Sequence, residues 1–339
     1  MSLALITGCS SAENSAELDD SSQTGEKPSF ELDGENIRIT FGDASAQSLG
    51  NRYMIAQLEG WGATVDDIAL TTATGLSAII AGQADFAAGQ GADEAILGLA
   101  MGADLTAIGA PDSANSYVVI ARSEIESIED LRGARIATSG PGGFNTALMY
   151  LALQNAGIDP DSDASLLSIG GSPERAAALL TGNVDATVVF YADWAQIQAQ
   201  SDDVHLLAVM DELVPNIPDL YYYGETAYWD EHPEVALAVA CANLNANAII
   251  SQDKEAFVDF AASSITGSDR EITDYTYDRL IELDNWPTEP EEIMNLDGLD
   301  ALQELLLQTG DLESPTDIGD LVDLSYLEEA QEMGCGVSD

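Results

Sequence analysis

Positively charged residues are what this chain most lacks. Ten Lys and Arg face 60 Asp and Glu, a formal charge of -50 at pH 7, and lysine occurs only as Lys27 and Lys254. A surface of this sign repels nucleic acid and anionic lipid, which removes both as partner classes. Histidine is limited to His205 and His232, and cysteine to Cys9, Cys241 and Cys335. There is no CxxC, no His pair at metal-ligand spacing and no Ser/His/Asp order, so neither a metal nor a cofactor is expected. Apart from the amino terminus, no stretch approaches the apolar length that spans a bilayer. Acid pairs such as Asp66 with Asp67 read as solvated surface. The acids run along the whole chain instead of forming a tail, a distribution that suits high salt, where screening removes self-repulsion.

What is present is a repeated α/β construction. The 339 residues and 46% hydrophobic content allow one large domain or two ordinary ones with ample core. Apolar strands alternate with helices at spacings that imply parallel βαβ units. Between them lie turns rich in Gly, Ser, Thr and Asn. In the first half these are Gly42 to Ser48, Thr71 to Gly75 and Ala88 to Asp93; in the second, Thr138 to Asn145, Ser168 to Glu174 and Phe190 to Trp194. Two lobes with polar turns at the carboxyl ends of their strands would hold a ligand between them. The crossings between lobes are expected at Ser116 to Arg122 and Leu220 to Gly224, which would form a hinge. That divides the chain into a tether over 1–35, a first lobe over 36–118 with 224–339, and a second lobe over 119–223. From Pro233 onward the pattern is mainly helical and reads as an outer layer on the first lobe.

The amino terminus carries a separate signal. Leu5, Ile6, Thr7 and Gly8 before Cys9 resemble a lipoprotein cleavage box, followed by a Ser-, Glu-, Asp- and Gly-rich tether. Only eight residues precede Cys9 and none is basic, a departure from the usual signal peptide. Cys241 sits on an apolar helical face, which favours a plain buried thiol; in an oxidising compartment it could pair with Cys335 and pin the carboxyl-terminal tail.

Four segments together carry a family resemblance: GLSAIIAGQADFAAGQGADEAILGLAMGADLTAIGA, SIEDLRGARIATSGPGG with ALMYLALQNAGI, RAAALLTGNVDATVVF, and PEVALAVACANLNANAII. In their order and spacing the chain resembles solute-binding proteins of ABC importers, of the nitrate, sulfonate, taurine and thiamine-pyrimidine-precursor group. That resemblance implies an α/β, two-lobe fold of the periplasmic-binding-protein-like type II, with mainly parallel sheets covered by helices. It also implies a small-molecule ligand, an ABC permease with its ATPase as partners, and a monomer. The location implied is the cell surface or another extracytoplasmic site, with a lipid on Cys9 as the membrane contact at the outer face of the cytoplasmic membrane.

Matching the family's strand-end turns gives ligand candidates Ser45, Gln47, Thr74, Gly75 and Gln90 from one lobe. Asn115 comes from the crossing, and Ser139, Gly142, Gly143, Phe144, Asn145, Gly171, Ser172, Tyr191 and Trp194 from the other lobe. The run Ser139 to Gly143 before a helix is the best candidate for a backbone cradle. A single Gly-rich turn is ordinary; six at equivalent strand ends are not. Phe144, Phe190, Tyr191, Trp194 and Tyr221 to Tyr223 could wall a flat ligand, although alternating strand faces put about half of them in the core. With no basic residue in a turn except Arg175, a neutral heterocycle or a zwitterion is expected over an oxyanion.

Two other functions compete. The same fold hosts thiamin-pyrimidine synthases, but their type needs a cleft histidine, a cofactor-bearing lysine and a Cys-rich motif, and here His205, His232, Lys27 and Lys254 all fall outside the turns. The chain is therefore not expected to be an enzyme. A ligand sensor or TRAP-type binding protein keeps the binding role with a different partner.

Overall fold

The computed structural model describes residues 28–41, 49–68, 74–140, 142–198, 200–215, 217–265 and 268–337. Cys9, Ser45 and Gln47 lie outside them. The first set of elements is β1 (Asn36–Phe41), α1 (Leu49–Gly60), β2 (Thr64–Ile68), α2 (Gly75–Ile80), β3 (Phe86–Gly91), α3 (Ala92–Ala100) and β4 (Leu105–Gly109). The second is β5 (Tyr117–Arg122), β6 (Arg135–Thr138), α4 (Phe144–Asn155), β7 (Ser165–Ser168), α5 (Ser172–Leu180), β8 (Ala186–Phe190), α6 (Tyr191–Gln198), β9 (Val204–Val209) and α7 (Met210–Leu213). β10 (Leu220–Glu225) then leads into α8 (Thr226–Glu231), α9 (Pro233–Gln252), α10 (Lys254–Ser264), α11 (Arg270–Glu282), α12 (Pro290–Ile293), α13 (Leu296–Thr309) and α14 (Ser325–Glu332).

The two five-stranded sheets are built alike, in the orders β2, β1, β3, β10, β4 and β7, β6, β8, β5, β9. Each is parallel except for one inserted strand: β10 runs antiparallel to β3 and β4, and β5 antiparallel to β8 and β9. Both inserted strands are the first after the chain changes sheets. This corrects the hinge expected from the sequence. The segments Tyr117–Arg122 and Leu220–Glu225 are hydrogen-bonded strands, so the crossings lie within 110–116 and 214–219. The lobe boundaries at 118/119 and 223/224 therefore cut through β5 and β10.

The helical carboxyl-terminal region also reaches further than a layer on the first lobe. α9 packs on α1 and β4, but α11 packs on α6 of the second lobe, and α13 touches both α3 and α4. The first crossing is tied to the same region: the Ser113 N–H donates to Asn285 O (3.1 Å), and Asn295 Nδ2 donates to Ser113 O (3.2 Å).

α9 is long and apolar enough to cross a membrane, contrary to the sequence expectation that no such stretch exists, and 72% of its most apolar window is buried inside the fold. An all-round apolar helix is what a core position demands. Cys241 on α9 and Cys335 after α14 form a disulfide with Cα atoms 5.2 Å apart, linking positions 94 residues apart. The buried-thiol expectation for Cys241 is thus corrected, and the reason is that α14 packs directly on α9.

Candidate functional site

A cavity of about 770 Å³ opens where the carboxyl ends of the two sheets meet. The first lobe contributes Thr74, Leu76 and the start of α3; the second contributes Tyr117, Gly142, Gly143 and Phe144. Asp219 and Leu220 reach it from the second crossing, and Asp311 to Ser314 from the segment after α13. Its described charged lining residues are Asp93, Glu94, Asp219, Asp311 and Glu313, all acidic.

The acidic wall is built by the β3–α3 junction. β3 ends at Gly91 and α3 begins at the next residue, so Asp93 and Glu94 fall in the first helical turn at the strand's end. A Cβ at Gly91 would overlap Asp93 Oδ1, so any side chain there would displace the carboxylate. Asp93 is only 8% exposed. Burial, reinforced by the charge of Glu94, pushes its carboxyl up to about 7, although backbone N–H groups at the helix start pull the other way. Glu94 accepts from the Leu76 N–H (3.3 Å) and the Tyr223 hydroxyl (3.2 Å), and burial raises it too.

Asp219 completes this wall. Its carbonyl accepts the Ala92 N–H (2.8 Å), which fixes it beside the start of α3. The residue is 6% exposed, and among the described residues its carboxylate has no hydrogen-bond partner. Burial and then the Asp93 charge push it up. Behind it, Asp112 on the first crossing is 3% exposed with Oδ1 unpartnered, raised by burial and by Asp219. Three buried carboxylates from three separate segments repel one another here, an arrangement that costs stability unless a positive charge joins them.

The opposite wall is nearly neutral. α4 starts after Gly143 with no side-chain cap and no acid in its first turn. Three N–H groups of the turn before it are bonded locally: the Ser139 N–H donates to Asn145 Oδ1 (3.0 Å), the Gly140 N–H to Thr146 Oγ1 (3.0 Å), and the Gly143 N–H to Gly140 O (3.1 Å). That removes three donors from the backbone cradle expected at Ser139 to Gly143. Phe144 and Tyr117 supply ring faces, with centroids 6.3 Å apart, and Tyr117 stacks on Phe190 at 4.2 Å.

Of the residues singled out from the sequence, Thr74, Gly142, Gly143 and Phe144 line this cavity. Gly75, Gln90, Asn115, Ser139, Asn145, Gly171 and Ser172 do not. Gly75 packs against the Gln90 side chain, and Asn115 Nδ2 reaches Asp211 Oδ1 at 3.5 Å. Tyr191 and Trp194 are buried in the second lobe's core with Val118, Leu179 and Val204. The three tyrosines of β10 are also core: Tyr221 donates to Met294 O (2.6 Å), Tyr223 to Glu94, and Tyr222 lies against Gly109. Arg175 is committed to structure, donating from Nε to Val188 O (2.9 Å) and from Nη1 to Gly170 O (2.6 Å). Sequence reasoning missed the acidic wall. The AGQGAD turn drew attention to its glycines, while one more acid in so acidic a chain carried no signal.

Comparison with known proteins decides the family. A family model described as NMT1/THI5 like matches residues 67–257, more than half of the chain. The chain belongs to the NMT1/THI5-like family. No curated protein matches it by sequence. Among solved structures it resembles the ligand-binding component of an ABC-type import system from Staphylococcus aureus, with zinc bound. That pair has 15% identity, a TM-score of 0.69, and coverage of 87% of this chain and 99% of the other. The periplasmic aliphatic sulphonate binding protein SsuA from Escherichia coli gives 18% identity and a TM-score of 0.67, covering 84% and 91%. The desulfurization enzyme DSZB gives 13% identity and a TM-score of 0.62, covering 88% and 99%. At these identities the likeness shows a shared fold alone, and by their names the proteins that share it include binding proteins and an enzyme.

Proposed function

We propose that this NMT1/THI5-like protein is an extracytoplasmic solute-binding protein that delivers a small molecule to an ABC importer permease and its ATPase. The observation that carries this reading is the cavity between two matched sheets joined by two short crossings, which suits capture by closure. Its volume is that of a small-molecule site rather than a macromolecular groove. The described lining holds no Lys, His or Cys, so beside its carboxylates, hydroxyls and backbone it offers no amine, imidazole or thiol. The Cys241–Cys335 disulfide fits an oxidising, extracytoplasmic compartment. The lipoprotein-like sequence at Cys9 supports anchoring to the outer face of the membrane, and metabolic labelling with a radioactive fatty acid tests that step.

The test of the main reading is a thermal-shift screen in high salt across cationic, zwitterionic, anionic and neutral small molecules, followed by mass spectrometry of each hit after long incubation. A binding protein gains melting temperature with a saturable dependence and returns the solute unchanged. A solute recovered in chemically altered form would show an enzyme instead.

A further inference from the structure

The net charge alone says nothing about this cleft, because surface carboxylates in salt are hydrated and screened. The cavity carboxylates are different. Asp93 and Asp219 are each more than nine-tenths buried, and Asp219 lines the cavity with no hydrogen-bond partner among the described residues. Asp112 adds a third buried carboxylate behind Asp219, with Oδ1 unpartnered. A buried, unpartnered carboxylate facing an open cavity is a ligand-binding group waiting for its counter-charge.

Resting on the solute-binding reading above, we infer that the cleft takes an organic cation, a solute whose protonated or quaternary amine is held by Asp93 and Asp219. Three further observations fit this class. Tyr117 and Phe144 line the second lobe's side of the cavity, and aromatic rings beside a bound cation stabilise it. The Ser139–Gly143 turn has bonded three of its N–H groups internally, which weakens that turn as a backbone site for an oxyanion. The cavity, at about 770 Å³, has room for an organic solute of this kind. An anion entering this cleft would meet the same buried acidic side chains, which disfavour a like charge.

The experiment is calorimetric and thermal-shift titration of the full chain in constant high salt with matched probes. These are choline and its uncharged isostere 3,3-dimethyl-1-butanol, then putrescine, methanesulfonate and nitrate, with extra potassium chloride as the control for ionic strength. Choline or putrescine is expected to bind saturably while the neutral isostere does not, and Asp219→Asn is expected to weaken that binding at least about tenfold. Above about pH 8, where Asp219 is ionised, Asp219→Asn removes a buried charge, so the unliganded variant should melt at or above the parent temperature, which separates lost binding from lost folding. Cations that do no more than potassium chloride, or that bind equally well to Asp219→Asn and Asp93→Asn, overturn the inference. Binding of methanesulfonate or nitrate without binding of either amine overturns it while leaving the solute-binding reading intact. If no probe binds and the broader screen is also empty, both readings fall together.

Discussion

Two strand-to-helix junctions meet at the cavity, and they carry opposite chemistry. At the first, α3 follows β3 without a loop and puts Asp93 and Glu94 into its own first turn. At the second, α4 follows a Gly-rich turn and has no acid there; Asn145 and Thr146 reach back to the turn's N–H groups. A helix amino terminus attracts negative charge. α3 satisfies that attraction with its own side chains and so turns a carboxylate towards the ligand space. α4 satisfies it by folding polar side chains back, which leaves glycine backbone and an aromatic ring. The fold fixes where these helix starts sit, and the second and third helical residues decide what charge they offer.

The strongest way to break this comparison is Asp93→Asn. Burial holds the Asp93 carboxyl at about 7, whereas in the unfolded chain it ionises near 3.8. Between those values the folded protein keeps a proton that the unfolded chain has released. Its stability therefore falls as pH rises through this window, is unaffected below it and levels off above about 7. A shift of this size corresponds to on the order of 4 kcal/mol. Glu94, Asp219 and Asp311 carry like charge towards the same space; Asp112, Tyr117 and Tyr223 are the other titratable groups around it, and Arg175 is the nearby cation. Thermal melts from about pH 4 to about pH 8 should show the parent losing stability relative to Asp93→Asn. Parallel curves would mean that the junction does not bury a charge.

A smaller effect sharpens the comparison from the glycine side. Gly91→Ala places a methyl on Asp93 Oδ1, and Gly143→Ala places one on Ser139 Oγ. Each is expected to cost about 1–3 kcal/mol through overpacking. Adding Asp93→Ala to the first should restore most of the loss, because the carboxylate is its only overlap. Adding Ser139→Ala to the second should restore less, since Gly140 O and Ser139 Cβ remain at 3.1 Å. Chemical denaturation of the six variants measures both cycles, and equal recovery would contradict the difference drawn here.

Much of the fold was legible in the sequence for a physical reason. Strand and helix periodicity is local, so Ile37 to Phe41, Ala186 to Phe190 and the helix from Phe144 could be placed from neighbours alone. The pattern of Ser116 to Ala121 also reads as a strand, which is β5; it is the reading of this segment as a hinge that fails. Whether Tyr117–Arg122 is a hinge or a central strand depends on pairing with β8 and β9, which local pattern does not encode. The site divides in the same way. Thr74, Gly142, Gly143 and Phe144 belong to turns whose composition announces them. Asp219 reaches the cavity only because β10 pairs with β3, and Asp311 only because α13 bridges the lobes. Tyr191 and Trp194 looked like cleft aromatics in a polar turn, but α6 begins there and turns both into the second lobe's core.

The smallest expected effect tests whether the two junctions act independently. Thr146→Val keeps the side chain's shape but removes the hydroxyl that accepts the Gly140 N–H at 3.0 Å. Losing this bond and the longer Ser139 Oγ–Thr146 Oγ1 bond (3.4 Å) at a partly exposed turn should lower stability by about 1 kcal/mol. Thr146 does not line the cavity and touches none of its carboxylates, so choline or putrescine affinity should stay within about twofold of the parent. Methanesulfonate should meanwhile gain little, because one freed N–H does not offset the buried carboxylates opposite. A loss of cation affinity as large as that of Asp219→Asn would show that the α4 turn sets the shape of the acidic wall, and the two junctions would then have to be treated as one unit.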